Sequence, residues 1–196
     1  MPKTLEVLVD VGSPPTYLAW TQLPRLVRET GAELAWSPVL LGGIFKATGN
    51  VSPVTVPAKG KWMLADLARA AKRLGVPMHF NPHFPINTLH LMRGATALLG
   101  KPAFEDYLTS VFTALWVGGS DLSDPGEVAA VVERAGLDPA SFKRMIEQPA
   151  VKDQLKQTTD QAVARGVFGC PTFFVGDEMF FGQDRLDDVR EALAGG

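Results

Sequence analysis

The hydrophobic pattern of this chain changes period twice, and those two changes restrict the fold more than any other feature. The chain opens with an apolar run, "LEVLV" (Leu5 to Val9), that stops at Asp10 and a Gly-Ser-Pro-Pro turn. A segment of helical spacing follows from Thr16 to Thr30, with Leu18, Leu23, Leu26 and Val27 on its apolar face and Gly31 as its stop. Pro24 falls inside that segment, so a kink or a broken turn is expected there. "AELAWSPVL" (Ala32 to Leu40) then alternates as a second strand. A strand, helix, strand opening favours a parallel pair joined by a right-handed crossover. At the other end, "PTFFV" (Pro171 to Val175) and "EMFF" (Glu178 to Phe181) flank Gly176-Asp177, a good two-residue hairpin turn. Asp184 to Ala194 closes the chain as an amphipathic helix.

The middle carries a helical period almost throughout. "GNVSPVTVPAKGK" (Gly49 to Lys61) reads as a turn-rich loop, and a helical pattern runs from Trp62 to Leu74. "HFNPHFPIN" (His79 to Asn87) is irregular, because Pro82 and Pro85 break any helix. Further helices are expected over Thr88 to Leu99, Pro102 to Trp116, Asp124 to Ala135, Pro139 to Gln148 and Ala150 to Arg165. Asp124 before Pro125 and Asp138 before Pro139 each read as an N-cap followed by a first-turn proline. The order is βαβ, a helical block, then ββα. That is an α/β, thioredoxin-like fold with a large all-helical insertion of the DsbA-like kind. Residues 1–44 plus 166–196 would form the thioredoxin-like domain, and 45–165 the inserted helical one.

Composition excludes several classes of partner. With 196 residues, 46% apolar and 20% charged, the chain is long enough for a sizeable core and is not disordered in character. The net charge of −2, with no long basic run, argues against nucleic acid or an anionic membrane as the main partner. No apolar stretch approaches the length of a membrane span. "MPKTLEVLVD" has too short an apolar run for a signal peptide. Cys170 is the only cysteine, so no internal disulfide can form and a reducing cytoplasm is expected.

In a thioredoxin-like fold the turn after the first strand enters the first long helix and holds the reactive group. Redox members place Cys-x-x-Cys there, where the helix N-terminus lowers a thiol pKa. This chain keeps the spacing as Ser13-Pro14-Pro15-Thr16 but has neither sulfur, which excludes thiol–disulfide exchange at the turn. Ser13 before proline is a good N-cap, and capping alone would account for it. There is no Gly-x-Ser-x-Gly elbow to make it a hydrolase nucleophile. In "VFGCPTFF", Pro171 opens a strand at the position where this fold expects a cis peptide facing that turn. His79, His83 and His90 lack a third ligand and are separated by Pro82, so no metal site is expected.

Four stretches together carry a resemblance that spans the chain in order. "DVGSPPTYLAW", "GNVSPVTVPAKGK", "FPINTLHLMRGA" and "FGCPTFFVGDEMFFGQDRL" look like those of the 2-hydroxychromene-2-carboxylate isomerases, relatives of the kappa-class glutathione transferases in the DsbA-like group. The resemblance implies glutathione as cofactor and a homodimer. It implies that Ser13 donates a hydrogen bond to the glutathione sulfur. Cys170, before Pro171, would pair its backbone with the cysteinyl part, and Asn50 and Lys59 would meet the glycyl carboxylate. Asp184 and Arg185 would hold the γ-glutamyl end, and Asn87 and Arg93 would contact a small aromatic substrate. Each also has a plainer reading: Asn50 as a turn residue, Lys59 as a solvated lysine, Asp184 as a cap, Cys170 as an inert core thiol. The implied activity is cis–trans isomerisation of an aromatic α-keto acid by thiolate addition, bond rotation and elimination. Trp62, Phe84, Leu91 and Trp116 are bulky apolar candidates for a wall around an aromatic substrate, with core packing the plainer reading for most of them. A kappa-like transferase or peroxidase, and a glutathione- or peptide-binding module without catalysis, are the alternatives.

Overall fold

The computed structural model describes residues 3–195. Four strands form one sheet in the order β2-β1-β3-β4: β1 (Thr4–Val9), β2 (Glu33–Pro38), β3 (Thr172–Val175) and β4 (Glu178–Phe181). β1 takes a central place, as its apolar sequence demands. It runs parallel to β2, with Val7 opposite Trp36, and antiparallel to β3, with Val7 opposite Phe173. The helices are α1 (Pro14–Thr30), α2 (Leu41–Thr48), α3 (Pro57–Leu74), α4 (Leu89–Leu98), α5 (Phe104–Thr113), α6 (Pro125–Arg134), α7 (Pro139–Ile146), α8 (Pro149–Ala164) and α9 (Leu186–Ala194). This mixed sheet, with helices α3 to α8 between its two halves, is the thioredoxin-like fold with a helical insertion.

Side-chain alternation along β1 sets the layers. Leu5 and Val7 pack against Ala19, Leu23 and Leu26 of α1 and Val189 and Leu193 of α9. Leu8 packs on the opposite face against Val39, Ile44 of α2 and Ala162 of α8. The largest core joins β1 and α1 to the helical block: Val9, Val11, Tyr17 and Leu18 share a buried cluster with Met92, Tyr107, Phe112, Trp116 and Phe142. Each such apolar side chain contributes about 1.5–3 kcal/mol by leaving water. Trp116 fixes the block to the turn after β1 by donating from Nε1 to the Val11 carbonyl at 2.9 Å.

The caps form as their residue types require. Ser13, Asp124 and Asp138 each accept backbone amides in the first turns of α1, α6 and α7. Other boundaries differ from the sequence reading. α2 occupies residues that had no assigned element. α3 begins at Pro57 rather than Trp62, and α5 at Phe104, its end running into a π-helical turn over Ala114–Gly118. α1 passes through Pro24 as one helix. Asp184 sits in a 3₁₀ turn, Gln183–Arg185, just ahead of α9. Among the described residues no helix is long and apolar enough to cross a membrane.

Candidate active site

The turn from β1 into α1 faces a cavity of about 420 Å³. Ser13 is buried at the N-cap of α1, where its oxygen accepts the Thr16 amide at 3.3 Å. Its hydroxyl donates to the Cys170 carbonyl at 2.8 Å, across 157 residues of chain. The Cys170–Pro171 peptide is cis. The first turn of α1 is poor in donors. Pro14 and Pro15 have no amide hydrogen, the Thr16 amide serves Ser13, and the Tyr17 amide reaches the Ser13 carbonyl. An anion beside this helix therefore finds the positive end of the dipole and one movable hydroxyl. Thr16 stands at the second sulfur position of the redox motif, and its Oγ1 is buried without a partner.

Asp10 lies beneath the same turn and is completely buried. Oδ1 accepts the Gly12 amide at 2.8 Å; Oδ2 accepts the Leu41 amide at 2.7 Å and the Thr88 hydroxyl at 3.1 Å. Its backbone carbonyl accepts the Ser13 amide at 3.1 Å. One carboxylate thus ties the β1–α1 turn to the starts of α2 and α4. Burial raises its pKa above the ordinary carboxylate value, and the hydrogen bonds from Leu41, Gly12 and Thr88 oppose that rise. Burial first, and the Asp10 charge second, push the Cys170 thiol well up. Cys170 is a protonated thiol at neutral pH.

The cavity gathers residues from distant parts of the chain. Ser13, Asn50 and Cys170 line it, with Asp10, Gly12, Leu41 and Thr88 at one end. Asn50 also donates from Nδ2 to the Phe168 carbonyl at 2.9 Å. Its apolar wall is Phe45, Met63, Phe84, Ile86, Phe168 and Phe181. Of the four aromatic-wall candidates, only Phe84 is among them. Trp116 and Leu91 are core residues, and Trp62 is 65% exposed on α3. Phe45, Phe168 and Phe181 were not anticipated. The signal available for them was an apolar residue flanking each turn-rich stretch.

Other site candidates lie elsewhere. Lys59 is exposed in the first turn of α3. Asp184 lines a second, polar cleft between α1, α3 and α9 and pairs with Arg185 at 3.1 Å. Asn87 is exposed, and its Oδ1 accepts the Leu89 amide at the start of α4. Arg93 points toward Glu147, 3.7 Å away, and is not part of the cavity wall. No group of three or more His, Cys, Asp or Glu side chains among the described residues is arranged to hold a metal ion.

The fold and the turn define a thioredoxin-like domain in which a serine replaces the redox sulfur. The family described as DSBA-like thioredoxin domain matches residues 4–194, and the chain belongs to that family. Within it, the chain is 34% identical to a 2-hydroxychromene-2-carboxylate isomerase of Sphingobium xenophagum, over 98% of this chain and 99% of that one. It is 32% identical to glutathione S-transferase kappa 1 of Homo sapiens, over 98% and 92%. A solved 2-hydroxychromene-2-carboxylate isomerase superposes with a TM-score of 0.88 at 29% identity, covering 97% of this chain and 94% of the other. Pseudomonas aeruginosa DsbA superposes with a TM-score of 0.61 at 17% identity, covering 97% and 81%, which is likeness of fold alone. The chain is homologous to enzymes of the isomerase and kappa-transferase kind.

Proposed function

We propose that this protein is a glutathione-dependent enzyme acting on a small aromatic compound. More finely, we propose a cis–trans isomerase of an aromatic α-keto acid of the 2-hydroxychromene-2-carboxylate type. The observation that carries the reading is the Ser13 hydroxyl, set at the helix end where redox relatives need a sulfur and facing a cavity with an apolar wall. The names of the similar proteins support it. Bound glutathione would supply a nucleophilic sulfur that turns a conjugated double bond transiently into a single one.

The residues present fit that ligand at its sulfur end. Ser13 would release the Cys170 carbonyl and donate to the sulfur instead, a rotation about one side-chain bond. Of the Ser13 and Thr16 hydroxyls at the start of α1, only that of Ser13 belongs to a residue lining the cavity. The Cys170 carbonyl, freed in that exchange, would accept a backbone amide of the tripeptide in strand fashion. Asn50 and Lys59 would take the glycyl carboxylate, the ammonium matching its charge. Asp184 and Arg185 would meet the γ-glutamyl end of a ligand that reaches past Phe181. Three residues of extended chain span about 10 Å, which is the reach this reading requires between the cavity and Asp184. The apolar wall would exclude water from the reacting centre. A homodimer and a cytoplasmic location belong to the same proposal.

One observation favours a second reading. The titratable side chains lining the cavity are Asp10 and Cys170, so its wall offers no cation to a substrate carboxylate. A neutral electrophile suits such a wall, as in a kappa-like glutathione transferase. Calorimetric titration with glutathione tests both readings, and absence of binding at millimolar concentration sinks both. Product analysis with 2-hydroxychromene-2-carboxylate and with 1-chloro-2,4-dinitrobenzene then separates isomerase from transferase. In Ser13→Ala, bound glutathione should lose most of its ultraviolet thiolate absorbance, and turnover should fall about 10²-fold or more. Unchanged thiolate absorbance would remove Ser13 from the site.

A further inference from the structure

We infer that Asp10 and Thr88 form a proton relay serving the cavity, with the Thr88 hydroxyl as its contact and the Asp10 carboxylate as the seat behind it. The inference rests on the glutathione reading, because a thiol that ionises in the cavity must hand its proton to some acceptor.

The choice of acceptor is narrow. Cavity-lining residues come from the β1–α1 turn, α1, α2, the loop and 3₁₀ segment before α3, α3 itself, the loops preceding α4 and β3, and β4. Across all of these, the only titratable side chains are Asp10 and Cys170. Cys170 is held protonated and accepts nothing further. Asp10 borders the cavity but is 0% exposed, so access to its carboxylate runs through a neighbouring polar side chain. Thr88, 7% exposed and lining the cavity, is the polar side chain that bridges the two.

The partners of Asp10 show where a proton would sit. The Gly12 and Leu41 amides can only donate, so they hold the carboxylate in place in either state. The Thr88 hydroxyl alone can turn from donor to acceptor. Thr88 Oγ would take the proton of a thiol in the cavity while passing its own to Asp10 Oδ2. The S–H electron pair stays on sulfur, the carboxylate becomes a carboxylic acid, and its new O–H donates back to Thr88. The exchange also removes a buried negative charge from beside the new anion, which an ionised Asp10 would repel. The upward pKa shift of Asp10 acts in the same direction.

The test is a proton count. Glutathione binding to the wild-type protein is followed by calorimetry in buffers of different ionisation enthalpy, alongside ultraviolet thiolate absorbance. The relay predicts that thiolate appears while little or no proton reaches the buffer. Infrared difference spectra should show a protonated carboxyl band at the same time. In Asp10→Asn, about one proton per thiolate should be released. In Thr88→Val, which keeps the carboxylate and both amide donors, thiolate should form about tenfold more slowly at an unchanged proton count. A full proton released by the wild-type protein for each thiolate formed overturns the relay, whether or not Asp10→Asn folds. Unaltered thiolate kinetics in Thr88→Val removes Thr88 from it. A wild-type protein that binds no glutathione refutes the cofactor reading, a result distinct from either of these.

Discussion

At the scale of single residues, the site joins one group that sequence reasoning finds and one that it passes over. Ser13 is legible because it stands where an apolar strand turns into a helix and its spacing to Thr16 matches a redox motif, although a cap alone would account for the residue type. Asp10 is not legible. An acid that ends a strand looks like any solvated terminus until the fold brings Leu41 and Thr88 to it. The sequence allows Cys170 a reactive and an inert reading, and its burial and raised pKa favour the inert one. That has a consequence for stability against pH. The folded pKa is raised, so the contribution of the neutral thiol is complete below the unfolded value, about 8.5, and is lost as pH rises toward the folded one. Denaturant midpoints should therefore fall between about pH 8 and 10 in the wild-type protein and fall less in Cys170→Ala. A disulfide-forming reagent should label Cys170 only after unfolding.

At the scale of elements, the strands, the crossover, the hairpin and most helices follow from period and punctuation. α2 does not, because Gly42 and Gly43 in "LLGGIFK" depress helix propensity and Leu40 provides no side-chain cap. Both difficulties are resolved by tertiary contacts. The Leu41 amide is capped by Asp10 from 31 residues away, and Gly43 lets α2 lie close to α8, where a Cβ would come to 3.2 Å from the Thr159 methyl. Of the kink or broken turn expected at Pro24, the broken turn does not occur, since the helix carries a missing amide without interruption. Gly94 marks a close helix contact: a Cβ would meet Phe142 and the Tyr107 hydroxyl at 2.5 Å. Gly94→Ala should destabilise the fold by about 1–3 kcal/mol through overpacking between α4, α5 and α7, despite alanine's better helix propensity. Chemical denaturation measures this directly, and a stabilised variant would refute the crowding argument.

At the scale of the whole molecule, sequence reading divides the chain into two units, 1–44 with 166–196 and 45–165. The buried cluster linking Val9, Val11, Tyr17 and Leu18 to α4, α5 and α7 predicts that the two melt together. Tryptophan fluorescence and far-ultraviolet circular dichroism should give coincident transitions; separated midpoints would show that the units are independent. The bonds around the cavity extend this point to the assembly of the site. Asp10 reaches 31 residues to Leu41 and 78 to Thr88, and Ser13 reaches 157 to Cys170. No local segment contains the whole arrangement, so the chain from residue 10 to residue 170 must be in place before the site is complete. Fragments ending before β3 would carry the serine, the carboxylate and the hydroxyl with no opposing wall. The site is a property of the whole chain and of no single stretch of it.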